Sequence, residues 1–129
     1  MAIALAGLDS VNELEIVANG EGGANRLFVY TGVAVLSFKG TGGSWLRDTL
    51  SFDVGRVFQP GQFIKASASG ALASVRNEHT AVNAGWACDR MRASRGSNGK
   101  THVEADLAVS DSDGYLLRIA YEVQVLARL

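Results

Sequence analysis

The stretch Thr101–Leu129, THVEADLAVSDSDGYLLRIAYEVQVLARL, alternates along nearly its whole length. Val103, Ala105, Leu107 and Val109 fall on one side of an extended chain, and His102, Glu104, Asp106 and Ser110 on the other. After SDSDG, the residues Tyr115, Leu117, Ile119, Tyr121, Val123 and Val125 share one side. Arg118, Glu122, Gln124 and Arg128 share the opposite one. Successive side chains of a strand point to opposite faces, so a period of two over two long runs marks half-buried strands. The Asp/Ser/Gly run between them is turn chemistry, and the whole stretch predicts an antiparallel hairpin. Matching the apolar sides across that turn sets Asp106 opposite Arg118 and His102 opposite Glu122.

The same period extends upstream. Thr80–Ala93 places Val82, Ala84, Trp86 and Cys88 on one side, and Asn98-Gly99 supplies a pair favoured in tight hairpins. These three runs predict a closing three-strand meander. Leu46, Leu50, Phe52 and Val54 alternate with Arg47, Thr49, Ser51 and Asp53, and Asp48 is the one polar intruder on the apolar side. Pro60-Gly61 is a turn signal. Phe63–Val75 is rich in Ala and Ser, small enough to let another sheet or subunit approach closely. Arg26–Phe38 reads as one extended stretch in which Gly32 suggests a bulge or bend. Val11–Ala18 alternates with Leu14, Ile16 and Ala18 inward, and Met1–Leu8 is a short helix or an extra edge strand. No eleven-residue window carries a helical period. The sequence therefore predicts a single all-β domain over 1–129, an antiparallel β-sandwich of seven to nine strands ending in that meander.

Composition bounds the function. With 47% hydrophobic residues, the 129-residue chain can bury a genuine core. A net charge of −1 disfavours a general polyanion binder, so nucleic acid is not an expected partner. Nine of the twelve basic residues are Arg, which suits planar polar contacts at interfaces. The single cysteine, Cys88, rules out an intrachain disulfide. MAIALAGL lacks the basic start and cleavage-like continuation of a signal peptide, and no run reaches the length of a membrane span. A cytoplasmic protein, or part of a released particle, is expected.

Chemistry-bearing residues are sparse. Cys88 with His79, oriented by Glu78 or Asp89, would make a nucleophile–base pair, but Cys88 lies on the apolar side and reads as a core cysteine. Asp111-Ser112-Asp113-Gly114 looks like part of a calcium loop, yet aligning Gly114 with the sixth position puts Val109 first and Ala120 twelfth, so both end ligands are missing. Arg90, Arg92, Arg95 and Lys100 gather around one hairpin, without aromatics to stack bases. No catalytic residue, metal site or cofactor is expected. Trp45 follows a glycine loop beside Arg47 and Asp48, a trio suited to stacking on a sugar face and bonding its hydroxyls. On the last strand, Leu116 and Leu126 interrupt a side that otherwise carries Arg118 and Glu122, which marks these four as interface residues.

From Trp45 onward, the order of segments resembles the H-type lectin pattern. WLRDTLSFDVGRVFQPGQFIKASASG resembles that family's strand, proline turn and strand into a variable loop, and KTHVEADLAVSDSDGYLLRIAYEVQVLA resembles its closing hairpin. The likeness covers about residues 45–127. It implies a six-stranded sandwich, trimeric assembly and sugar binding in clefts between subunits, and a homo-oligomer, a trimer or larger, is expected. The chain lacks the tryptophans usual near that family's last strands and has about 40 additional N-terminal residues, so no family binding residue is transferred. The expected function is a non-catalytic binding and assembly module: an oligomeric carbohydrate-binding protein with glycans and its own subunits as partners, or alternatively a structural component of a phage or virus-like particle (tail, fibre or capsid).

Overall fold

A computed structural model describes residues 3–20, 23–38, 45–76, 85–110 and 116–128. Seven strands follow one another: β1 Ile3–Gly20, β2 Gly23–Phe38, β3 Leu46–Val54, β4 Phe63–Arg76, β5 Gly85–Arg95, β6 Thr101–Ser110 and β7 Leu116–Arg128. They form two antiparallel sheets. Sheet A runs β1-β2-β7-β4 and sheet B runs β3-β6-β5. The expected all-β sandwich is therefore present, with the lower of the expected strand numbers among the described residues.

The core lies where the alternation puts it. Val103, Ala105, Leu107 and Val109 of β6 are at most 4% exposed, and Ile119, Tyr121, Val123 and Val125 of β7 at most 3%. These side chains meet across the sandwich; the rings of Phe52 on β3 and Tyr121 on β7 lie 5.1 Å apart. Burying each large apolar side chain contributes about 1.5–3 kcal/mol.

The meander does not form. β5 and β6 pair as a hairpin, whereas β7 leaves for the other sheet and inserts between β2 and β4. Asp106 consequently faces Thr49 and Arg90, and His102 faces Asp53 and Ser94. Arg118 faces Val35 and Ser74, and Glu122 faces Thr31 and Ser69. The cause is geometric: two strands bury the same alternate residues whether they are neighbours in one sheet or oppose each other across the core.

β1 differs from expectation in a second way. It is one long edge strand, and its register pairs Glu13 with Tyr30 and Glu15 with Phe28, so the glutamates share the inward face. Leu14 pairs with Val29 and Ile16 with Leu27 on the outer face, where they are 57% and 44% exposed. The side chain of Ala18, the third residue expected inward, lies outside those described. Arg56 explains the inversion: it bonds Glu13 at 2.6 Å and sits 4.4 Å above the Phe28 ring, while Arg26 pairs with Glu15. This cationic cover makes a charged inward face tolerable beyond the reach of sheet B.

β2 passes through Gly32 without a break. The irregularity is across the ladder, where β1 shifts register between Asp9 and Asn12, with Ser10 at a φ of 54°. Gly32 faces Tyr121, and a side chain there would collide with the phenol ring, so close approach accounts for the glycine.

Residues 55–62 close one end of the sandwich. Phe58 is wholly buried, in edge contact with Phe28 at 5.4 Å and Phe63 at 5.9 Å. Its N–H donates to Gly99 O at 2.9 Å, and its carbonyl accepts from Arg95 Nε and Nη2 at 3.1 and 3.0 Å. Pro60-Gly61 makes the expected turn, with Gln62 N–H donating to Gln59 O at 3.0 Å.

Candidate functional site

The outer face of sheet B is a continuous polar ladder. Thr49 donates its hydroxyl to Asp106 at 2.9 Å, and Arg92 bonds Asp106 at 3.2 Å and Glu104 at 2.7 Å. His102 lies 3.3 Å from Glu104 and 2.8 Å from Asp53, which also accepts from Asn98 at 3.0 Å. The bond from His102, then that from Asn98, outweighs partial burial and holds the Asp53 carboxyl below its ordinary range. The Thr49 hydroxyl and the Arg92 guanidinium do the same to Asp106. Carboxyls stabilised in the ionised form are poor general acids near neutrality.

Beside this ladder lies a depression of about 450 Å³, lined by Arg47, Asp48, Thr49, Ala87, Asp89, Asp106, Leu107 and Ala108. A bulge between Cys88 and Arg90 takes Asp89 out of the β5–β6 register. Of the expected sugar-binding trio, Arg47 and Asp48 reach this wall and Trp45 does not. Trp45 stands 53% exposed just before β3. Asp48 has a structural task as well. Its Oδ2 accepts from Ile3 N–H at 3.1 Å and its Oδ1 from Thr49 N–H at 2.8 Å, tying the edge of sheet A to that of sheet B. The polar intruder in the β3 pattern is thus accounted for.

The outer face of sheet A has the opposite character. Leu14 and Ile16 of β1, Leu27 and Val29 of β2, and Leu126 of β7 stand in adjacent rows. Ser67 and Lys65 complete those rows on β4. A shallow hollow of about 150 Å³ opens there, between Leu27, Lys65, Ala66, Ser67, Gln124 and Leu126. Of the four expected interface residues, Arg118, Glu122 and Leu126 lie on this face, and the side chain of Leu116 is outside those described. Glu122 accepts from Gln124 Nε2 at 2.8 Å. Leu14, Ile16, Leu27 and Val29 were not anticipated as surface residues. Alternation alone hides Leu14 and Ile16, because Glu13 and Glu15 at the alternate positions of β1 make them read as core, and only the register against β2 with the Arg56 and Arg26 pairs reveals the outward face.

Other sequence candidates have structural roles or lie outside the described residues. Cys88 is half-buried, and burial first, then Asp106 and Asp89, pushes its thiol up, opposite to the shift an activated nucleophile needs. Glu78, His79 and the loop Asp111–Gly114 lie outside the described residues. Of the basic group, Arg92 is paired within the ladder and Arg95 holds the Phe58 carbonyl. Among the described residues, no three His, Cys, Asp or Glu side chains gather as a metal site, and no helix is long and apolar enough to cross a membrane.

No protein-family model, curated protein or solved structure matches the chain.

Proposed function

We propose that this chain is a non-catalytic assembly and binding module whose first partner is its own copies. The observation that carries the reading is the apolar patch on the outer face of sheet A, where a sandwich exposed on both sides would carry polar residues. The patch supports an oligomeric binding protein and a structural component of a particle alike, since both must bury a face against neighbours. Sedimentation velocity tests it: the wild type is expected to self-associate at tens of micromolar, and Leu14→Asp with Leu27→Asp to remain folded and become monomeric. A wild type that stays monomeric at that concentration defeats the proposal. Regular arrays in electron micrographs would favour the particle component.

A second reading, carbohydrate binding, is favoured by the depression on sheet B. Arg47, Thr49 and the carboxylates of Asp89 and Asp106 offer donors and acceptors around a hollow of sugar size. A glycan array probed with the wild type and with Arg47→Ala tests it. Binding lost in the variant supports the reading, and silence across the array removes it.

A further inference from the structure

The outer face of sheet A carries an unused complementarity, and from it we propose that a second copy of this chain stacks on the patch about a two-fold axis running across the strands at the level of Val125. This rests on the assembly reading above and specifies its geometry.

The ladder register defines the rows. Ile16, Leu27, Leu126 and Lys65 form one row of outward side chains across the sheet, and Leu14, Val29, Gln124 and Ser67 form the next. A two-fold axis lying between these rows, in the plane of the face, exchanges them. Leu27 then meets Val29 of the other copy, Leu14 meets Ile16, and Leu126 meets Gln124. The apolar residues fill the two middle rows of the contact, chiefly on its β1–β2 side, next to the shallow hollow beside Leu126.

The same operation exchanges the flanking rows. Glu122 and Arg128 stand on the outer face of β7, three residues to either side of Val125. Both are exposed, and neither makes an ion pair within the described chain. Within one copy they are about 20 Å apart at 3.3 Å per residue, too far to meet. Across the axis, Glu122 of each copy faces Arg128 of the other, giving two ion pairs at the rims of an apolar centre. Lys65 meets Ser67, so no like charges are opposed. Arg118 lies two rows beyond and outside the contact.

The size is adequate and modest. Four strands about 4.8 Å apart and four rows about 6.7 Å apart cover about 500 Å² of each copy, or about 1,000 Å² for the pair, the lower end for a specific interface. The contact is isologous and closes as a dimer.

Sedimentation equilibrium on a charge-reversal series tests the geometry. Glu122→Arg alone and Arg128→Glu alone are each expected to weaken the dimer about tenfold. The double variant is expected to recover wild-type affinity within about threefold. Arg118→Glu is expected to leave affinity unchanged, and near-UV circular dichroism verifies that each variant is folded. A wild type that associates but shows no recovery in the double variant, no loss in the singles, or a trimeric mass overturns this geometry and leaves the assembly reading standing. A monomeric wild type overturns both.

Discussion

The outer faces of the two sheets are built from similar alternating strands and completed in different ways. On sheet B a run of outward residues meets partners of its own chain: Asp53, His102, Glu104, Arg92, Asp106 and Thr49 stand in one contiguous series, beside the depression that Arg47 and Asp89 line. On sheet A the outward residues near the β1–β2 turn are apolar, and Glu122 and Arg128 flank them without an ionic partner among the described residues. Polarity alone does not separate the faces, since both carry charge. Closure does: a face whose charges are paired in register is complete in one chain, and a face with leucines between separated opposite charges is complementary to itself.

The strongest way to break this comparison is to remove what both faces share. Phe58 closes the core beneath them, and Phe58→Ala is expected to cost about 3–5 kcal/mol in urea unfolding. A loss under about 1 kcal/mol would show that the closing segment is not part of the common core. Gly55→Ala acts on the same segment more gently. Gly55 has a φ of 83°, and a methyl group there would run into the Tyr30 ring. About 1–3 kcal/mol is the expected cost, and an unchanged urea midpoint would contradict it.

A smaller effect sharpens the contrast between the faces. The Asp53 carboxyl is held below its ordinary 3.8, first by His102. Its contribution to stability is therefore present above that ordinary value and lost as pH falls through the lowered folded one. Asp53 is substantially exposed, so the screened contribution stays under about 1 kcal/mol. Stability measured from pH 6 down to pH 2 should fall less steeply in Asp53→Asn. Identical slopes for variant and wild type would remove this pair from the ladder's energetics.

How far the sequence could be read follows from what alternation encodes. It identifies the buried face of a strand, and the residues of β6 and β7 placed inward at the outset are the buried ones. It does not encode which strand lies beside which, and so the predicted meander gave way to a β7 that crosses to the other sheet. For β1 even the face was inverted, because Leu14 and Ile16 read as core while the distant Arg56 and Arg26 neutralise the glutamates that point inward. Asp48 was legible as an exception within β3; its reason, a backbone N–H donated from Ile3, required the fold. Leu126 was legible as an interface residue from its company alone, whereas the rest of the patch depends on the inverted register of β1.

The placement of β7 has a consequence for how the chain is made. It is the strand that joins the β1–β2 pair to β4, and it follows the other six in sequence. During synthesis, β1, β2 and β4 emerge with no way to become one sheet until residues 116–128 have left the ribosome. Sheet B has all its strands by Ser110, but it has only half a floor to rest on until then. Sheet A therefore cannot close before β7 is available, and a nascent chain stalled before Leu116 presents open sheet edges to whatever chaperone or sister chain is nearest.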